Sequence, residues 1–519
     1  MPGETLLTQD EFNWTIRSLA FGKAIRSGNL AGTVAAAPGQ RATRPGVTTM
    51  WTGFLAEELI SPVHRLWTWL GIGPGPSGLR LGHMLIALWC SLGLVAFVVI
   101  ARRLVGPRAS LVAGGILAVE PMLVGHSAVL HTDALVTVYA GLAVVALVAA
   151  FEQARVENQT TARAAWWRVP SIALASIAGA AAAIAVLTKL NALVLIGAAV
   201  PLAFAGQRIR RSDTVDRQRR SGVVLTVFVA VTVTLFVALW PALWVDPIAQ
   251  LQATIGAGHL AGEFTTTFFL GQVITHVDRR FYFVAAWYRA SPWLLIASFT
   301  AVASTIVQIL RRARSPALPR RVILSLTAPP AVYLAVLVLS AKQYDRYLLP
   351  LLPFAAVGIG VVVARLTAPF EPTGWVHRSA WAAFAILAVW TASLAPFAIS
   401  YTDPLVGGQR VASGKIDLGW GEGVETVLGR THTGETRCPT IASRVWLLGQ
   451  SGCWKPVSGD WLHGTDAPPD LVLIYIDDRQ RAKTGEIDAY LRAHGTMVDA
   501  LVIDGVAYVE LWRPTRQPA

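Results

Sequence analysis

From Asp133 to Phe151 the chain reads DALVTVYAGLAVVALVAAF. Its one charged residue stands at the start, and Arg155 follows its end. A helix of about 20 apolar residues, rising 1.5 Å each, crosses the hydrocarbon core of a bilayer. Comparable runs lie near 81–101, 170–187, 190–206, 222–244, 292–310, 322–340, 347–365 and 380–398. A shorter stretch, 110–124, makes a helix of only about 22 Å against a ~30 Å core. It is expected to stop early, with Glu120-Pro121 opening into an aqueous cavity, because irregular backbone at membrane depth needs protein or water beside it. The pattern predicts a polytopic α-helical membrane protein of about ten spans.

Composition agrees. Of 519 residues 54% are hydrophobic and 14% charged, against about 25% charged in soluble proteins. The net charge of +13 does not point to nucleic acid, since the arginines sit in clusters between apolar runs. These are Arg102, Arg103 and Arg108; Arg155, Arg163 and Arg168; Arg208, Arg210, Arg211, Arg217, Arg219 and Arg220; Arg311, Arg312, Arg314, Arg320 and Arg321; and Arg365 with Arg378. Every second connection is arginine-rich, so those are cytosolic. The other connections are then extracytoplasmic: 1–80, about 125–132, 188–189, 245–291, 341–346 and the tail from 399. Three domains follow: a first outer loop with juxtamembrane helices at 1–80, a transmembrane core at 81–398 with a large outer loop at 245–291, and a small α/β domain at 399–519. The last is read from strand-like runs at Leu471–Ile476 and Ala500–Ile503 around a short helix at Ile487–His494. Nothing in 1–80 would carry that polar segment across a membrane, so a further helix is expected upstream of Met1. Of the three cysteines, Cys90 is in an apolar run. Cys438 and Cys453 are in the outer tail, either as a disulfide or as two unpaired thiols.

Chemistry on the outer side has three candidates. Asp10-Glu11 could divide labour, one taking a proton from an acceptor hydroxyl, the other orienting a sugar or holding a cation; a solvated acidic pair is the plain alternative. Between Glu120 and Leu135, His126, His131 and Asp133 are ionisable groups near membrane depth, where burial is costly and function is the default reading. Their spacing matches no standard zinc pattern, and helix capping by Thr132 or Asp133 competes. Lys342-Gln343-Tyr344-Asp345-Arg346-Tyr347 puts cations on the side where the positive-inside rule disfavours them. A lipid phosphate would explain that, as would internal pairing with Asp345 or snorkelling. Arg80 and Lys189 are single cations on the same side.

Together these motifs resemble the bacterial relatives of the dolichyl-phosphate-mannose protein mannosyltransferases, within the GT-C membrane glycosyltransferase superfamily. The resemblance runs from Asp10-Glu11 and Pro45-Gly46-Val47-Thr48-Thr49-Met50-Trp51, through His126-Ser127 to Leu135, Trp240-Pro241-Ala242-Leu243-Trp244-Val245-Asp246-Pro247 and Phe268-Phe269-Leu270-Gly271-Gln272. It continues to Asp345-Arg346-Tyr347-Leu348-Leu349-Pro350 and Gly419-Trp420-Gly421-Glu422-Gly423. Ala128 stands where many relatives have arginine, and Arg44 where many have histidine, so the cationic partners of the acidic pair differ.

The resemblance implies a hexosyltransferase moving mannose or another hexose from a polyprenyl-phosphate donor to a hydroxyl of a protein, glycolipid or wall polymer. The reaction would be inverting, at the outer face of a bacterial plasma membrane. It implies Asp10 as base with Glu11 assisting; Arg80, Lys342, Arg346 and Tyr347 at the donor phosphate; and Asp133, His126 and His131 positioning substrate. It fixes no cofactor and leaves a divalent cation open, and no nucleic acid is expected as a partner. Two other classes stay open: a transporter or flippase of lipid-linked substrates, and an inactive wall-binding relative.

Overall fold

The computed structural model describes residues 8–37, 40–41, 45–72, 75–157, 170–205, 214–260, 266–300, 318–368, 374–431, 439–444, 455–457, 462 and 468–515. Arg44, Cys438, Cys453 and the second half of the 292–310 run lie outside the described residues.

Two helices precede the bundle, α1 (Gln9–Arg26) and α2 (Val47–Trp69). A capping box starts α1: the Thr8 hydroxyl accepts from the Glu11 N–H, and the Glu11 carboxylate accepts from the Thr8 N–H. Gly46 lets α2 begin against α1. Its φ is +67°, and a Cβ there would lie 2.0 Å from the Trp14 ring.

There follow α3 (Gly78–Val105), α4 (Pro107–Val119), α5 (Pro121–Ser127), α6 (Asp133–Glu157), α7 (Ser171–Thr188), α8 (Ala192–Ala205) and α9 (Thr214–Ala238). After them come α10 (Ala242–Val245), α11 (Pro247–Leu260), α12 (Phe281–Arg289), α13 (292–300 as described), α14 (Arg320–Leu339), α15 (Leu352–Leu366) and α16 (Gly374–Ser393). A 3-10 turn, Asp345–Leu351, leads into α15.

Among the described residues six helices are long and apolar enough to cross a membrane, or eight if each of two bent pairs counts as one crossing. The protein is thus a polytopic helical membrane protein, with fewer clear spans than the about ten expected from apolar run length. The 190–206 run yields only the shorter α8, and 292–310 runs out of the described residues. The 110–124 stretch does break, at 62° between α4 and α5, where Pro121 lacks the N–H an unbroken helix needs. It does not open to water there. Glu120 is buried, and its Oε2 accepts from the Ser291 hydroxyl at 2.5 Å.

α6 is the axis of the bundle: 94% of its apolar window is buried. Lipid offers no hydrophobic force between helices, so small residues carry the packing. Gly141 of α6 faces Pro353, and Gly360 of α15 lies against α4 so closely that a Cβ would be 2.2 Å from the Ala109 carbonyl oxygen. Backbone cannot step aside as a side chain can. Gly360→Ala is therefore expected to cost about 1–3 kcal/mol, read as a lower midpoint of thermal unfolding in detergent; an unchanged midpoint would contradict this packing.

The helix directions sort the charges. Arg102 and Arg103 end α3, Arg155 lies in the last turn of α6, Arg365 in that of α15, and Arg320 and Arg321 begin α14. Arg321 pairs with Glu152 at 2.6 Å. Asp133 begins α6, Lys189 follows α7 and Asp345 precedes α15, all at the opposite end.

At that opposite end sits the C-terminal domain. Its five-stranded sheet has the order Lys455–Val457, Thr440–Ala442, Leu471–Tyr475, Val506–Pro514, Gly495–Ile503. The first three strands run parallel and the last two are an antiparallel pair. Every residue of Leu471–Tyr475 is buried, as a central strand covered on both faces requires.

Candidate active site

The capping box that starts α1 aims Asp10 and Glu11 in different directions. Glu11 is 0% exposed. Its Oε1 accepts from the Leu130 N–H at 2.8 Å and lies 2.5 Å from His83 Nε2, while Oε2 accepts from Thr8. Glu11 thus ties α1 to α3 and to the segment before α6. Asp10, by contrast, keeps 36% exposure and enters a cavity of about 210 Å³ between the bundle and the C-terminal domain.

The segment before α6, the Asp345 turn and the C-terminal domain each send a group to Asp10. Arg346 donates to its Oδ2 at 3.5 Å, the Trp420 indole N–H donates at 3.1 Å, and His131 Nε2 lies at 3.6 Å. Asp133, only 2% exposed, holds the other side of the cluster. Lys189 donates to its Oδ1 at 2.5 Å, and His131 Nδ1 and Arg346 Nε lie 3.3 and 3.4 Å from its Oδ2. His131 therefore stands between two carboxylates, one per ring nitrogen. The Arg346 guanidinium is flanked by the Trp420 and Tyr344 rings, at 4.2 and 4.5 Å. Asp345 positions Arg346: its Oδ1 accepts from the Arg346 N–H at 2.7 Å, and its Oδ2 is held by Arg289 at 2.5 Å. Arg289 in turn donates to the Tyr401 carbonyl.

Trp420 reaches the cluster on a turn built by glycines. Gly419 and Gly421 have φ of +89° and +106°, a region closed to most side chains. Glu422 anchors the turn, accepting from the Trp420 N–H, from the Tyr475 hydroxyl at 2.6 Å and from Ser400 at 3.1 Å.

Burial opposes the charge on Asp10, but His131 and Arg346 outweigh it and hold its carboxyl down at about 2. Burial likewise opposes protonation of His131, but Asp133 and Asp10 prevail and raise its pKa above the usual imidazole value. The charged ring persists below that raised pKa and is lost as pH rises through it. Its loss removes one positive charge from a site that also holds Lys189 and Arg346. An anion bound there is expected to bind with a KM that is flat below the raised pKa and climbs above it, whereas His131→Gln gives a flat profile. A wild-type profile without that alkaline rise would contradict the assignment.

Of the residues singled out from sequence, Asp10, His126 and Arg346 line the cavity, and His131 and Asp133 stand directly behind them. His126 is buried, its Nδ1 2.8 Å from the Met122 carbonyl. Tyr347 lies under the Lys189 ammonium at 4.3 Å. Arg80, exposed at the start of α3, and Lys342, whose carbonyl accepts from Tyr282, are not among the cavity's lining residues. Reading the sequence gave Lys189 too little weight; its signal was a lone cation on the arginine-poor side. Arg289, Asp417, Asp477 and Arg481 carried no signal distinguishing them from surface charges. Among the described residues no three His, Cys, Asp or Glu side chains are grouped to hold a metal ion. Lys189 and Arg346 supply the positive charge facing Asp133.

No protein-family model matches the chain, and no curated protein matches it in sequence. Among solved structures it is similar to ArnT from Cupriavidus metallidurans bound to undecaprenyl phosphate, at 15% identity and a TM-score of 0.46, over 98% of this chain and 94% of that one. It is also similar to the archaeal oligosaccharyltransferase AglB from Archaeoglobus fulgidus in complex with an inhibitory peptide and a dolichol-phosphate, at 11% identity and a TM-score of 0.45, over 97% and 70% of the two chains.

Proposed function

We propose that the protein is a membrane glycosyltransferase that takes a hexose from a polyprenyl-phosphate donor and places it on an acceptor hydroxyl. In this reading the arginine-rich helix ends face the cytosol, and the cavity opens on the outer face of a bacterial plasma membrane. The observation that supports it is the meeting of Asp10 and Arg346, 336 residues apart in sequence, at 3.5 Å in one cavity.

Asp10 takes the proton of the acceptor hydroxyl as its oxygen attacks the anomeric carbon. The bond from that carbon to the phosphate oxygen breaks, and polyprenyl phosphate leaves with the electron pair. The configuration inverts. Arg346 meets the charge growing on the leaving phosphate. Its contacts to Asp10 and Asp133 are long, at 3.5 and 3.4 Å, so the phosphate competes for it readily. As Arg346 turns to phosphate, Asp10 loses a partner that depresses its pKa and becomes the stronger base. Lys189 and His131 keep Asp133 neutralised meanwhile. Glu11, Arg80 and Lys342 take no step. The acceptor is a protein, glycolipid or wall polymer.

The test is direct. The full chain in lipid nanodiscs is given polyprenyl-phosphate mannose, glucose or galactose with octyl mannoside as acceptor. Release of polyprenyl phosphate with an inverted glycoside is expected for at least one donor. Absence of both release and donor binding for all of them would overturn the reading.

A further inference from the structure

The cavity has a second wall, from the C-terminal domain, whose Asp417, Asp477 and Arg481 take no part in proton removal or phosphate departure. We propose that this wall is a saccharide subsite, with Asp417, Asp477 and Arg481 as the hydroxyl ligands of a pyranose ring that lies beside the Trp420 indole. The inference rests on the function proposed above and adds to it the residues that select the sugar.

All four residues line the same cavity as Asp10 and Arg346. Its 210 Å³ is many times the ~10–15 Å³ that one water needs on the same measure, which leaves room for one monosaccharide ring. The Arg481 guanidinium lies between two carboxylates: its Nε is 2.7 Å from Asp477 Oδ1 and donates to Asp417 Oδ2 at 3.0 Å. Asp417 Oδ1 is buried without a hydrogen-bond partner, a state that costs free energy unless something fills it. Burial, and then Asp477, push the Asp417 carboxyl well above the usual carboxylate range. The carboxyl oxygens accept and the Arg481 guanidinium donates, matching hydroxyl groups, which do both. An apolar ligand would leave these groups unsatisfied. A second phosphate would face two carboxylates with one arginine already committed to them. A polyol beside an indole fits every group on the wall.

The ring could belong to the donor or to the acceptor, and binding separates the two. Asp417→Asn, Asp477→Asn and Arg481→Gln variants of the full chain in nanodiscs are titrated with polyprenyl-phosphate mannose, bare polyprenyl phosphate and octyl mannoside. A donor ring predicts at least about tenfold weaker binding of the mannosylated lipid with bare lipid phosphate unchanged. An acceptor ring predicts the same loss for octyl mannoside alone. Wild-type affinity for both sugars in all three variants would overturn the proposal, as would bare lipid phosphate weakening in step with the sugar ligands. Retained binding of bare lipid phosphate shows that a variant is folded. Because binding is read without turnover, failed catalysis by the wild type would count against the proposed function and leave the subsite tested.

Discussion

Asp10→Asn is expected to lower transfer about 10²- to 10⁴-fold, the range a positioned general base contributes, with little change in thermal stability or in affinity for bare polyprenyl phosphate. Asparagine keeps the shape and can still accept from the Trp420 indole, but it cannot take a proton. Asp10 is partly exposed in the first turn of α1, where the helix N-terminus favours its anion. With its pKa held at about 2, it is ionised at every pH at which the protein would be assayed. Any acid limb in the rate must therefore come from another group. Glu11→Gln is expected to show the opposite split. Its oxygens hold Thr8, Leu130 and His83 in a buried setting, so the loss falls on stability, about 1–3 kcal/mol for a buried group left unsatisfied. Kinetics paired with thermal unfolding for the two variants check both. A severe catalytic loss in Glu11→Gln at unchanged stability, or an active Asp10→Asn, would exchange the assigned roles.

Arg346→Lys is expected to lower kcat/KM for the lipid-linked donor by about 10²- to 10³-fold, as does removal of one aimed donor at developing negative charge. Lysine keeps the charge. It loses the planar fork that reaches both Asp10 and Asp133 and the stack between Trp420 and Tyr344. Arg346→Met goes further, leaving two carboxylates with only Lys189 and His131 between them. Breaking a buried ion pair from one side costs about 3–5 kcal/mol, so this variant is expected to unfold early as well as to bind polyprenyl phosphate weakly. Steady-state kinetics with titration of bare polyprenyl phosphate distinguish the cases. A lysine variant with wild-type kcat/KM would remove Arg346 from the leaving-group site.

The helical core was legible in the sequence because membrane spans are written as uninterrupted apolar runs: α3, α6 and α7 fall where those runs fall. The α4–α5 break was legible in Pro121. That Ser291 seals Glu120 was not, since the partner lies 171 residues away. The site divides the same way. That Asp133 and Arg346 stand at the helix ends away from the arginine clusters was legible in the sequence. Their contacts with each other and with Asp10 depend on how α1, α6 and the Asp345 turn pack, which no local pattern encodes. Thr8-x-x-Glu11 is a capping-box pattern, and it explains why two adjacent carboxylates end in different surroundings. Trp420 carries no charge to flag it, and only the glycines around it mark a turn that must bend sharply.

All of this rests on one cavity holding both the base and the phosphate ligand. The measurement that bears on it most directly is a cryo-EM map of Asp10→Asn protein in nanodiscs saturated with the polyprenyl-phosphate sugar that the assay selects. Donor phosphate within about 2.7–3.2 Å of the Arg346 guanidinium, with the anomeric carbon turned toward residue 10, is the predicted result. Density for the donor phosphate at any other place, with the Arg346 cavity empty of lipid, would contradict it.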